Sequence, residues 1–116
     1  MRKELPINQK IYDLMVWLTN HLDHFPRARR HTLGKRIEDI LYDLLEKCIE
    51  ARFSSDKAIK ADCLRQANIK LEQLRCFIRL AYQQKLLSGK QYQFVSVNIN
   101  DIGIALGGWF KEVNRR

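Results

Sequence analysis

No stretch of the 116 residues approaches the roughly 18 consecutive apolar residues that a membrane-spanning helix needs, and no secretory signal opens the chain. A soluble, cytoplasmic protein is expected. Cysteine is sparse. Cys48, Cys63 and Cys76 are odd in number and form no CxxC pair, so neither a disulfide framework nor a zinc site follows. All three read as reduced, small apolar residues. Two prolines and five glycines, none in a linker-like run, mark no domain boundary, and 1–116 reads as one domain. The glycine-rich phosphate loop and the GxSxG nucleophile elbow are missing. So are the Glu-x-x-His pairs of a di-metal bundle: the residues three before His21, His24 and His31 are Leu18, His21 and Ala28. His21 and His24 fall on one helical turn and offer two imidazoles, but with no third ligand at a fixed spacing a polar helix end is the better account. Ser54 and Ser55 read as turn residues. No enzyme activity, cofactor or metal is expected.

What the chain has in excess is positive charge. Lys and Arg number 21 against 13 Asp and Glu, a formal net charge of +8. That favours polyanionic partners, RNA or DNA, ahead of acidic proteins and, last, anionic membranes. A hydrophobic content of 46% beside 29% charged residues is enough to bury a core and argues against global disorder.

Helical periodicity divides the chain into four segments. The first is expected from about Pro6 to Phe25, because Pro26 disfavours helix at the residue before it. Its stripe is Ile11, Met15, Leu18, Leu22 and Phe25. PRARRH then forms a connection, and Thr32 is placed to cap a second helix reaching about Phe53. The core face of that helix is Leu33, Ile37, Ile40, Leu44 and either Cys48 or Ala51. After the turn at 54–56, which has good capping chemistry, a third helix is expected to about Leu87, roughly 45 Å long at 1.5 Å per residue. It carries the stripe Leu64, Ala67, Leu71, Leu74, Ile78 and Ala81. Ser88-Gly89-Lys90-Gln91 combines a glycine stop with an S-x-x-Q capping box. The last helix has Tyr92, Val95, Ile99, Ile102, Leu106, Trp109 and Val113 at strict three-four spacing, the seam of knobs-into-holes packing. The β-branched residues of QFVSVNIN leave open whether it starts at Tyr92 or a turn later. The fold class is therefore all-α, an antiparallel up-down-up-down four-helix bundle.

Apolar residues remain outside these stripes: Tyr42, Leu45, Ile49 and Phe53 on the second helix, Ile69, Phe77 and Leu80 on the third, Val97 and Ile104 on the fourth. Self-association would bury them; a thicker monomer core is the alternative. Each helical glycine costs about 0.5–1 kcal/mol relative to alanine, yet Gly103, Gly107 and Gly108 lie together beside Trp109. A smooth face allows close helix packing, within the bundle or between subunits, with Trp109 filling the adjacent gap. A weak or kinked helix end is the other reading. Asp39, Asp43, Glu46 and Glu50 form an acidic row, either solvated or set against a basic surface of a neighbouring subunit.

Basic residues gather at the ends of the bundle. The first and third connections share one end, with Arg27, Arg29, Arg30, Lys35, Arg36, Lys85 and Lys90. The other holds Arg2, Lys3, Arg52, Lys57, Lys60, Lys111, Arg115 and Arg116. Arg75 and Arg79 add a basic ridge on the third helix. Two basic poles suit phosphate-backbone contact without base reading, and the arginines of PRARRH can fork to phosphates; the alternative is charge that serves solubility alone. Candidate nucleic-acid-binding residues are thus Arg27, Arg29, Arg30, Lys35, Arg36, Arg75, Arg79, Lys111, Arg115 and Arg116. Aromatic residues do not interleave with these clusters as a stacking platform requires; Trp17, Trp109 and Phe110 read as core or interface.

The motifs IYDLMVWL, FPRARRHTLGKRIEDILYDLLEKCIEARF, LEQLRCFIRLAYQQKLLSGKQY and IGIALGGWFKEVNRR occur in an order and spacing that resembles the accessory variability determinant (Avd) proteins of diversity-generating retroelements. LGKRI, LYDLLE and LGGW followed by a basic tail are the most specific pieces. The wider group includes four-helix bundles linked to intervening sequences of ribosomal RNA genes. The resemblance implies a four-helix bundle assembled as a homopentameric ring with basic surfaces. It also implies a reverse transcriptase as partner and a non-catalytic role in complementary-DNA synthesis from a template RNA, which feeds mutagenic retrohoming. LGGW corresponds to Leu106, Gly107, Gly108 and Trp109, a structural element. Two other functions remain open, a ribosomal-RNA-associated basic bundle without a reverse transcriptase and a purely structural self-assembling protein.

Overall fold

The computed structural model describes residues 6–115, and these form four helices with no strand among them. Helix α1 is Pro6–Leu22 and α2 runs over 27–53. Helix α3 is Lys57–Gln83 and α4 is Gly89–Arg115. Each helix lies beside its neighbours in sequence, and α1 also packs on α4, so α1 and α3 are diagonal, as are α2 and α4. The long dimension of 46 Å against 23 Å in the other two matches helices of up to 27 residues lying along it. Short connections then make successive helices antiparallel, as expected.

The core is the set of stripes read from periodicity. Ile11, Leu18, Leu22, Leu33, Ile37, Ile40, Leu44, Leu64, Ala67, Leu71, Leu74, Ile78, Ala81, Val95, Ile99, Ile102, Leu106 and Val113 are buried in one cluster. Cys48 and Ala51 are both buried, so the second helix uses both candidates. On α1 the core residue is Leu14, with Met15 only packed against it from the side. The surplus rows do not thicken the core. Phe53 is 78% exposed and Ile104 75%, and Tyr42, Ile49, Ile69, Leu80 and Val97 are also exposed, with Leu45 and Phe77 half-buried.

Helix boundaries differ from expectation at four places, the end of α1, the start of α2, the end of α3 and the start of α4. Helix α1 stops at Leu22, because His24 and Phe25 N–H groups bond back to His21 and Leu22 carbonyls in a tight turn and Phe25 tucks into the core. Helix α2 begins at Arg27 and not after Thr32. The Pro26 carbonyl accepts the first helical bonds from Arg29 (2.8 Å) and Arg30 (2.9 Å). Arg30–Gly34 is a single wider, π-helical turn inside this helix. Thr32 caps nothing; its hydroxyl donates to the Ala28 carbonyl at 2.8 Å within the helix. Helix α3 ends at Gln83, where the stop is Lys85 at φ 63. Leu86 N–H bonds to the Ala81 carbonyl and Lys85 N–H to that of Tyr82, the paired bonds of a Schellman end. Gly89 is not the stop but opens α4. The capping box is present: Gln91 N–H donates to Ser88 Oγ (3.1 Å) and Ser88 N–H to Gln91 Oε1 (2.8 Å). Asp56 caps α3, accepting from Ala58 and Ile59 N–H.

Candidate nucleic-acid interface

At the end of the bundle that carries the first and third connections, His21 Nε2 lies 3.4 Å from the Leu86 carbonyl. His21 stacks on Trp17 at 5.1 Å and meets His24 and Phe25 at its other side. The imidazoles therefore belong to an aromatic-lined helix end. No group of three His, Cys, Asp or Glu side chains able to hold a metal occurs among the described residues.

Because PRARRH is helix and not loop, its arginines are displayed on the rigid first turns of α2. Arg30 is half-buried and its Nη1 donates to the Asp23 carbonyl (3.3 Å), closing the α1–α2 turn. Lys35 is paired with Asp39 at 3.1 Å. Arg27, Arg29 and Arg36 are exposed and have no acidic partner among the described residues. Arg29 and Arg36 line one open groove of about 430 Å³ with Leu80 and Gln84 of α3. Lys85 and Lys90 stand exposed at the same end. At Gly34 a Cβ would lie 3.4 Å from the Arg29 carbonyl of the same helix and 3.6 Å from the Phe25 ring of the turn.

Arg75 and Arg79 line a different groove, between α3 and α4. Arg75 is engaged there, donating to Asn100 Oδ1 (2.5 Å) and Glu72 Oε2 (3.2 Å), whereas Arg79 is exposed. At the opposite end Lys60 caps the last turn of α2 through the Ala51 carbonyl, and Arg52 lies over the Phe53 ring. Lys57, Lys111 and Arg115 are exposed; Arg2, Lys3 and Arg116 lie outside the described residues.

One feature of this region has no local signal in the sequence. Tyr82 and Tyr92, ten residues apart across the α3–α4 turn, stack with ring centroids 4.4 Å apart and planes 8° from parallel. Tyr82 shares a concavity with Lys85, and Tyr92 shares the α3–α4 groove with Arg79. Aromatic and basic residues thus do come together, contrary to the expectation from sequence. Only the antiparallel register of α3 and α4 brings them into contact.

A family model described as bAvd-like matches residues 5–113. The chain belongs to the bAvd-like family. Membership agrees with the resemblance to accessory variability determinant proteins of diversity-generating retroelements and carries an accessory role with it. No curated protein matches the sequence.

In this bAvd-like chain the glycines near LGGW divide into two kinds. Gly103 faces α3: a Cβ there would sit 3.1 Å from the Arg75 guanidinium and 3.4 Å from Leu71. Gly107 and Gly108 meet nothing within 4 Å, so packing inside the bundle does not account for them. Gly107 instead lines a shallow apolar pocket of about 180 Å³ with Leu64, Leu106 and Phe110. Trp109 and Phe110 are half-buried against the core. On α2, Tyr42, Ile49 and Phe53 form an exposed stripe, and Ile49 and Phe53 border a groove with Tyr12 and Leu45. The Tyr42 hydroxyl donates to Glu38 Oε2 (2.9 Å), and this bond with the carboxylate charge raises its pKa. The acidic row is largely neutralised within the chain: Asp39 pairs with Lys35, Asp43 with Lys70 across to α3, and Glu50 with Lys47.

No described helix is long and apolar enough to cross a membrane.

Proposed function

We propose that this protein is a non-catalytic accessory factor of a diversity-generating retroelement. In this reading it binds the reverse transcriptase together with template RNA or its complementary DNA and so supports mutagenic retrohoming. The observation that carries the nucleic-acid part is the set of arginines with no acidic partner among the described residues, Arg27, Arg29 and Arg36, displayed on the first turns of α2 at the end of the bundle that also carries Lys85 and Lys90. The helix fixes the backbone from which these guanidinium groups project, and a phosphate fits their planar fork. Arg79, and Lys111 and Arg115 at the far end, extend the basic surface. Arg30, Lys35 and Arg75 act mainly through their contacts inside the chain.

Self-association is the second part of the proposal. The exposed stripes Tyr42, Ile49, Phe53 on α2 and Val97, Ile104, Gly107, Gly108 on α4 lie on diagonal helices, hence on opposite sides of the bundle. Two unlike faces on opposite sides make a head-to-tail contact, which closes into a ring when the rotation allows. Five copies follow from the family resemblance, and a ring would repeat the basic pole around its axis.

The test is a salt titration of RNA binding. Five phosphate contacts should weaken binding on the order of 10²-fold between 50 and 200 mM salt. Replacing Arg27, Arg29 and Arg36 together by Gln should lower affinity for every sequence alike and flatten the slope. Binding that is weak and independent of salt would reject the nucleic-acid part. A reverse-transcriptase gene beside this one, and co-purification of its product with this protein, would test the remaining partner.

A further inference from the structure

The stacked tyrosines at the α3–α4 turn lie between two cation-bearing concavities. Tyr82 is 41% exposed and borders a depression of about 630 Å³ that also holds Lys85 and Gln91. Its stacking partner Tyr92 borders a groove of about 260 Å³ that holds Arg79 and Asn100. We propose that Tyr82 and Tyr92 form a stacking step for an unpaired base of single-stranded nucleic acid, with the flanking phosphates on Arg79 and Lys85. This rests on the nucleic-acid reading above and adds the strand type and the residues that select it.

Three observations support the assignment. Two parallel rings 4.4 Å apart form a stack that a third flat ring can extend, and one of them is open to solvent. Cations stand on both sides of the stack, as a strand that places a base between successive phosphates requires. A hydrogen-bond donor lies near the exposed ring: Gln91 lines the same depression as Tyr82, and among the described residues only its oxygen is used, by Ser88 N–H. A duplex hides its base faces in its own stack and has no ring to offer, so the step discriminates in favour of single strands. Lys85 is itself the left-handed residue that ends α3, so the turn that stops the helix also sets a cation in the concavity that Tyr82 borders.

The experiment compares oligothymidylate with an abasic oligodeoxynucleotide of the same length at one salt concentration, by fluorescence anisotropy with end-labelled strands. The base-bearing strand should bind about 5–100-fold more tightly. Tyr82→Leu should remove that difference while leaving the abasic affinity unchanged, and Tyr82→Phe, which keeps the ring, should retain it. Equal affinity of the two strands for the unaltered protein, or an equal loss for both in Tyr82→Leu, overturns the stacking step and leaves phosphate binding standing. Failure of both strands to bind overturns the nucleic-acid reading and the step with it.

Discussion

Gly103 and Gly107, one helical turn apart, differ because only one of them faces the chain's own interior. Beside Gly103 the Arg75 guanidinium and Leu71 already occupy the space a larger side chain would take. Gly103→Leu should therefore destabilise the protomer by about 1–3 kcal/mol, the usual cost of inserted bulk, seen as a lower midpoint in urea. Gly107→Leu has room within the chain and should leave the protomer folded while reducing the native mass of the assembly. Loss of folding in Gly107→Leu, or an unchanged mass, would show that Gly107 does not serve a contact between copies. Cys48 provides a residue-scale pH dependence. Burial, with a smaller contribution from Cys63, pushes its thiol up to about 12. A thiol held protonated in the fold but free to ionise in the unfolded chain contributes stability below the ordinary thiol range. That contribution falls as pH rises from about 9 toward 12, by up to roughly 1.4 kcal/mol per pH unit. Cys48→Ala should flatten the alkaline limb of the stability–pH curve. Exposed Cys76 should be labelled by a thiol reagent at pH 8 long before Cys48.

At the scale of the element, the helices are delimited by side-chain caps and a proline. Asp56 accepts from two free N–H groups at the start of α3, so Asp56→Ala should cost about 0.5–2 kcal/mol, measurable by thermal unfolding. Asp56→Asn, which keeps an acceptor oxygen, should recover most of it. The Ser88–Gln91 box was readable directly, because capping residues act within four positions of each other. The start of α2 was not readable in the same way. Thr32 has the chemistry of a cap, and PRARRH before it reads as connection. What moves the boundary is Phe25, buried by the bundle, which draws Pro26 to the helix start. The π-helical turn Arg30–Gly34 then takes up an extra residue, and its own Leu33 and Gly34 are buried. A propensity argument has no access to that anchoring, and so it assigns to a connection arginines that belong to a helix.

At the scale of the whole molecule, the distribution of exposed apolar side chains separates a protomer from an assembly. Phe53 and Ile104 contribute nothing to the core. Phe53→Glu or Ile104→Glu should accordingly leave the helix content and protomer stability nearly unchanged while light scattering falls toward the 13.8 kDa of one chain. A native mass near five chains in the unaltered protein would support the ring, and a monomer would remove it. Charge acts at this scale too. The +8 excess is divided between lysines and arginines that hold helices together, such as Lys60, Lys70 and Arg75, and others, such as Arg27, Arg29 and Arg36, that stand unpaired among the described residues.

Number of helices, their core faces and the order of their packing were determined by the sequence alone. Apolar spacing of three and four is a local property, and short connections allow little choice of neighbour. The excess of basic residues and the surplus apolar rows are likewise properties of composition and spacing. Tertiary structure alone decided which of those residues meet: Gly103 with Arg75, Arg30 with the Asp23 carbonyl, His21 with Leu86, and Tyr82 with Tyr92. Such contacts depend on the rotation and axial register of packed helices. Those are set by how all the core side chains interlock together, and no window of neighbouring residues contains that information.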